Sequence, residues 1–162
     1  MQDWLWALYI ILPVYCTNGA PVIFGGGRPI DSGKSLSDGQ RVFGDHKTIR
    51  GFVSGLIVGV IVGAFESVFF YPNLMIAAIL ASLGALLGDL AGAFVKRRLK
   101  ISPGRSLPVF DQLDFVVGAI LLVSPIVSLS LGAALILVLV TPPIHLLTNA
   151  GAYLLGLKST YW

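Results

Sequence analysis

Three aspartates, Asp89, Asp111 and Asp114, are the residues on which this chain can build chemistry. A carboxylate within or beside an apolar segment is costly to keep there and is by default a functional residue. Asp111 and Asp114 are three apart, so on a helix they share a face. Asp89 is flanked by Gly88 and Gly92, which allow close approach of a backbone or a ligand. Three convergent carboxylates suit a hard divalent cation, and magnesium usually keeps substrate phosphates among its ligands. Cations for those phosphates are at hand. Lys96, Arg97 and Arg98 follow Asp89, while Lys34, Lys47, Arg50 and Arg105 lie in Gly-rich or loop-like sequence. Gly25-Gly26-Gly27 and Gly44 offer amides for anion-binding nests. Each piece has a plainer use as well. Asp caps helices, and a basic triplet can stop a span at the membrane interface. Together they predict a magnesium site, one or two ions, facing a phosphate-bearing substrate. Gly33-Lys34-Ser35 and Lys47-Thr48 resemble the end of a P-loop, but Arg28 and His46 stand where that motif needs Gly.

The elements that position these groups are membrane spans. Of 162 residues, 56% are hydrophobic and only 12% charged, with a mean hydropathy of +0.86. Soluble chains carry about 25% charged residues, so a water-soluble domain and a disordered chain are both excluded. A spanning helix takes about 20 apolar residues. The runs predict five spans in a single domain over residues 1–162, at about 4–24, 51–71, 74–95, 115–129 and 131–157. Pro13 and Pro21 predict that the second half of the first span is kinked or unwound. The second carries Gly55, Gly59 and Gly63. The run from Phe115 to Leu157 divides near Ser128–Ser130. All 11 Lys and Arg residues then fall on one side, in the 25–50 and 96–114 loops and the tail. That predicts an all-α integral membrane protein with its N-terminus outside and two basic cytoplasmic loops. The single Cys16 closes no intrachain disulfide.

Asn18-Gly19-Ala20-Pro21 places an amide and a helix breaker near the end of the first span, suited to lining a pocket. His145 and Asn149 are four apart on one helix face. Without a Cys or second His nearby, they do not make a zinc site. A channel or transporter with Asp89 in its pathway is the rival class. It needs polar groups in both halves of the bilayer, whereas here they crowd one side.

Over nearly its whole length the chain resembles the archaeal CDP-archaeol synthases, within the wider CDP-diacylglycerol synthase family. The likeness is carried by Gly88-Asp89, Lys96-Arg97-Arg98, and Pro108 with Asp111-Gln112 and Asp114. It extends through Asn18-Gly19-Ala20-Pro21, Pro29-Ile30-Asp31 with Gly33-Lys34, Gly44 with Lys47-Thr48 and Arg50-Gly51, and His145, Asn149 and Lys158. Ala93 and His46 depart from the pattern, standing where Ser and Gly are expected. The resemblance implies a multi-pass cytidylyltransferase working at the cytoplasmic face of the cell membrane. It would join CTP to an isoprenoid ether-lipid phosphate, unsaturated archaetidic acid, giving CDP-archaeol and pyrophosphate. Asp89, Asp111 and Asp114 would hold magnesium and, with Lys96 and Arg97, form the catalytic set. Asn18, Gly19, Pro21, Lys34, Lys47, Thr48, Arg50, Gly88, Gly92, Arg98 and Gln112 would serve the nucleotide. Arg97, Arg98, Arg105, His145 and Asn149 would serve the lipid phosphate. Membrane lipids are its surroundings, no nucleic acid is expected, and an oligomer is compatible. Another magnesium-dependent lipid phosphotransferase is the alternative within the same chemistry.

Overall fold

The computed structural model describes residues 3–70, 75–102, 105 and 107–158. Five helices follow one another: α1 (Asp3–Phe24), α2 (Ile49–Phe69), α3 (Met75–Arg98), α4 (Phe110–Val123) and α5 (Leu131–Leu154). Thr48 caps α2 by accepting from Gly51 N, and Ser130 caps α5 by accepting from Ala133 N. Among the described residues no strand forms, and β-pairing is confined to bridges between Pro29 and Thr48 and between Ser35 and Arg41. Four helices, α1, α2, α3 and α5, are long and apolar enough to cross a membrane. α4 has 14 residues, about 21 Å at 1.5 Å each. That is short of the roughly 30 Å hydrocarbon core. It starts earlier than expected and ends at Val123, and the chain turns before α5. α3 continues to Arg98, so the basic triplet occupies its last helical turn, where cations meet the helix dipole favourably.

α1 is helical without interruption from Asp3 to Phe24, through both prolines. The expected unwinding does not occur. Pro21 has no N–H to give the carbonyl four residues back, and that Thr17 carbonyl instead lies against Gly55 of α2. Transmembrane helices tolerate such prolines, and here the helix runs on past both.

Glycine governs the packing. Gly51, Gly55, Gly59 and Gly63 form the buried stripe of α2, spaced four apart along one face. A Cβ on Gly59 would land on the hydroxyls of Thr17 in α1 and Ser82 in α3. The closest approach is between α3 and α4, where Gly84 and Gly88 lie against the backbone of Gly118 and Asp114. Small residues let helices approach closely in lipid, where burial of apolar surface gives no drive. Away from the loop end, Ala7, Val14, Ala81, Ala119 and Leu137 fill the bundle centre, each at most 1% exposed. Large exposed side chains such as Ile61, Leu121, Leu131 and Leu139 point outward, as a lipid-facing surface requires.

This packing makes a simple contrast. A Cβ at Gly118 would strike the Gly84 carbonyl, whereas one at Gly151 meets nothing within 4 Å. Gly118→Ala is expected to cost about 1–3 kcal/mol through overpacking and to lower the melting temperature of the detergent-purified protein. Gly151→Ala should leave it in place. A Gly118→Ala protein that melts with the wild type would refute the close α3–α4 contact.

Candidate active site

At the end of the bundle that carries the first loop and the start of α4, a cavity of about 770 Å³ opens between the helices. Its walls come from five places. α1 contributes Tyr15, Asn18, Gly19 and Pro21; the first loop contributes the stretch from Phe43 to Thr48. α3 contributes Asp89, Ala93, Lys96 and Arg97, and α4 contributes Asp111, Gln112 and Asp114, with Arg105 just before it. α5 and the tail contribute His145, Thr148, Asn149 and Lys158.

The first loop is built around one carboxylate. Asp31 accepts from Gly33 N at 3.1 Å and from Phe43 N and Gly44 N at 3.0 Å each, and it pairs with the Arg41 guanidinium. Burial raises its pKa, but Arg41 and these amides outweigh burial and hold the carboxyl well below the usual carboxylate range. Ile30 N donates to Lys47 O at 2.8 Å and Ile49 N to Arg28 O at 3.0 Å, which ties the loop's two ends together. The result is a fixed backbone that delivers Lys47 and Thr48 to the cavity.

Lys47 Nζ donates to both oxygens of Asp89, at 2.6 and 2.7 Å. Burial disfavours its charge, yet Asp89, with Asp114 and Asp111 beyond it, keeps its pKa above the ordinary lysine value. Lys96 Nζ donates to Asp111 Oδ2 at 2.6 Å. Asp111 also closes the start of α4: its Oδ2 accepts from Leu107 N at 2.9 Å, and its own N–H donates to Leu107 O. Between them Val109 sits at φ +67° and ψ −48°, with Phe110 N donating to Pro108 O at 2.8 Å. This is a strained γ-turn for a β-branched residue, and it turns the chain so that α4 can begin with its carboxylates at the cavity. Asp114 Oδ1 accepts from Phe115 N at 2.6 Å.

The three aspartates therefore share one cavity. They do not form a ready-made cage: among the described residues no three His, Cys, Asp or Glu side chains are grouped closely enough to hold a metal ion alone. Asp89 and Asp111 are each turned onto a lysine instead.

Of the other residues expected at the site, Asn18, Gly19, Pro21, Thr48, Lys96, Arg97, Arg105, Gln112, His145 and Asn149 line the cavity. Gly88, Gly92, Lys34, Arg50 and Arg98 do not. Gly88 and Gly92 act one step away. A side chain at Gly88 would strike the Asp114 carbonyl, and one at Gly92 would strike the Asp114 carboxylate, so both admit Asp114 to its place. Lys34 and Arg50 are exposed. Arg98 turns to the first loop, pairing with Asp38 at 2.6 Å, donating to the carbonyls of Gln40 and Arg41, and lying over the Phe94 ring.

Among the cavity residues that sequence pattern did not single out as site residues are Tyr15 and Lys158. Tyr15 donates from its hydroxyl to Thr141 Oγ1 at 2.9 Å; the only signal was its position three residues before Asn18 on the same helix. Lys158 folds back past Gly156, whose φ of +70° reverses the chain after α5. Its Nζ donates to Asn149 Oδ1 at 2.9 Å, which leaves Asn149 Nδ2 to donate to His145 Nδ1 at 3.1 Å. The proton of a neutral His145 then sits on Nε2. Burial and the nearby Lys47 lower the Lys158 pKa, a sign of how much positive charge this end of the bundle collects.

The loop carries its own test. Asp31→Asn breaks a buried pair and is expected to cost about 3 kcal/mol at pH 7. Because the folded pKa is depressed, the carboxylate's contribution is complete above the unfolded value of ~3.9 and fades as pH falls through the folded one. Thermal unfolding should thus show wild type and Asp31→Asn well apart at neutral pH and converging below pH ~4. A gap unchanged by acid would refute the charged role of Asp31.

Comparison with known proteins extends these observations. A family model described as "CarS-like: CDP-archaeol synthase" matches residues 1–162. The chain is 45% identical over 167 residues to a CDP-archaeol synthase of Pyrococcus furiosus, covering 100% of both chains. It is 47% identical over 162 residues to one of Methanothermobacter thermautotrophicus, covering 99% of this chain and 95% of the relative. A solved structure described as an intramembrane enzyme for archaeal membrane lipids biosynthesis superposes with a TM-score of 0.82 at 38% identity, covering 90% of this chain and 93% of that one. Full-length coverage at this identity, on the same helical architecture, makes this chain a member of the CDP-archaeol synthase family.

Proposed function

We propose that this chain is a CTP-dependent cytidylyltransferase that joins a cytidylyl group to an archaeal ether-lipid phosphate, unsaturated archaetidic acid, releasing pyrophosphate. The observation that carries this reading is Arg97. Its side chain lines the cavity, the residue is 5% exposed, and no described carboxylate pairs with it. Its Nε is buried without a hydrogen-bond partner. A buried guanidinium left without an anion is costly, and a phosphate is the ligand its planar donors fit. Arg105 and Lys158 line the same cavity. The cavity's remaining wall, Val22, Ile23, Ala152 and Leu157, is apolar and lies between α1 and the end of α5. It suits a lipid bringing its head group in from the bilayer.

In this reading a lipid phosphate oxygen attacks the α-phosphorus of CTP, and the bond to the β-phosphate oxygen breaks. The nucleophile is already ionised, so no general base is needed; the work is charge neutralisation and alignment. Arg97, Arg105 and Lys158 bind phosphate oxygens, and Lys96 holds Asp111 toward the cavity. Asn18 and Gln112 offer amides to the base. Asp89, Asp111 and Asp114 supply hard carboxylate oxygens beside space for a triphosphate and would hold one or two magnesium ions there, a cation that favours such oxygens. When bound, the metal would offset charge on the phosphates and leaving group. A transport pathway is not favoured, because the apolar bundle centre closes beneath the cavity. The one-sided Lys and Arg support a five-span reading with this end at the cytoplasm and the short α4 completing the bundle.

The test is product formation by the purified full chain, with CTP, ATP, GTP or UTP, lipid phosphate and magnesium. CTP alone should give a nucleotidyl lipid. Arg97→Ala and Asp114→Asn should each lose at least ~10²-fold in rate, the scale of one strong electrostatic contact, and Arg97→Lys should recover only part of that loss. No product from any nucleotide would overturn the activity; wild-type turnover in Arg97→Ala would remove its anchor. Orientation is tested separately by labelling Asp38→Cys in intact cells, where reaction with an impermeant reagent from outside would refute the cytoplasmic placement.

A further inference from the structure

The ammonium of Lys47 sits against one of the three carboxylates that would hold a metal ion, Asp89. It occupies both oxygens of Asp89, at 2.6 and 2.7 Å, and feels Asp114 and Asp111 as well. A cation cannot reach the front edge of Asp89 until Lys47 leaves it. The backbone of Lys47 is held at both ends, its carbonyl by Ile30 N at 2.8 Å and its N–H by Gly44 O at 3.3 Å. Any departure is therefore a swing of the side chain, whose four-carbon stem is flexible and whose surface is 28% exposed toward the cavity.

The destination decides when it leaves. The same cavity holds Lys96, Arg97, Arg105 and Lys158, so in the empty site a displaced Lys47 moves toward like charges. A metal arriving alone must force that move. A triphosphate arriving alone gains the cations but faces three carboxylates. When both arrive together, the metal takes the carboxylates and the phosphates take Lys47, so every charge ends beside its opposite.

We propose that Lys47 is a placeholder cation, exchanged from Asp89 to the nucleotide phosphates, so that divalent metal and nucleotide bind strongly only in each other's presence. This rests on the nucleotidyl-transfer reading above and adds to it a positioning role: Lys47 keeps Asp89 ordered without a metal and makes metal entry conditional on substrate. The coupling is reciprocal, as binding linkage requires.

The experiment is a titration of the full-length protein in detergent with Mn²⁺ as a spectroscopic probe, free Mn²⁺ being read by electron paramagnetic resonance, with and without CTP. For wild type, CTP should tighten Mn²⁺ binding at least ~10-fold, within the usual range of coupling between sites. In Lys47→Met, nucleotide-free Mn²⁺ binding should itself tighten by about that factor, and the enhancement by CTP should largely vanish. A merely structural Lys47 would lower stability without raising metal affinity. Equal Mn²⁺ affinity with and without CTP in wild type overturns the proposal, and this holds even if Lys47→Met fails to fold. Unchanged nucleotide-free affinity in a folded Lys47→Met protein also overturns it. Product formation by the same preparation separates the two readings. Turnover together with uncoupled Mn²⁺ binding removes only the placeholder role. Absence of both turnover and CTP-dependent Mn²⁺ binding removes the nucleotidyl-transfer reading with it.

Discussion

The distance between α3 and α4 is the constraint on which the site depends. In lipid, apolar side chains gain nothing by facing each other rather than the bilayer, so helices associate through close backbone contact. Gly84, Gly88 and Gly92 remove the side chains from one face of α3, and Gly118 does the same for α4. Only this closeness lets the Asp114 carboxylate fit over Gly92 and share a cavity with Asp89. Residues that read as nucleotide contacts thus act by leaving room for a carboxylate.

Charge balance is the second organising term. Eleven basic and eight acidic side chains must be accommodated in a chain that is 56% hydrophobic. Most of the acids are spent on ordering the polar end. Asp31 gathers the first loop through Arg41 and three amides, and Asp38 joins that loop to α3 through Arg98. Asp89 and Asp111 each hold a lysine of the cavity wall. Arg97 is left buried at the cavity without such a partner. The polar end is thus ordered by its own ion pairs, and Lys47, Lys96, Arg97, Arg105 and Lys158 all line its cavity.

Local strain is concentrated at the same end. Val109 adopts a positive φ one residue before α4, a conformation costing of order 1–3 kcal/mol that persists only where surroundings impose it. The Asp111 bonds to Leu107 impose it here. The strain lies between Lys96 and Asp111, the two ends of one ion pair, where the direction of the chain decides which way a carboxylate faces.

Much of this was legible from the residues alone. Apolar runs of about 20 residues read as spans in a chain so poor in charge, and four of the five form helices long enough to cross a membrane, while the run at 115–129 yields only the 14-residue α4. The aspartates, Asn18, Lys47, Arg97, His145 and Asn149 carry chemistry by residue type, and all of them meet at one cavity. What sequence could not decide is which neighbour a side chain chooses. Adjacent in sequence, Arg97 and Arg98 point about 100° apart on α3, one into the cavity and the other onto the Asp38 loop. Pro13 and Pro21 predicted a kinked or unwound second half, yet α1 stays helical from Asp3 to Phe24, with the Thr17 carbonyl against Gly55 of another helix. Lys158 reaches the site only because Gly156 folds the tail back. Periodicity and residue type act over one helix turn and were readable in the chain. Ion pairs and backbone contacts join residues dozens of positions apart, and only the packed bundle selects among them.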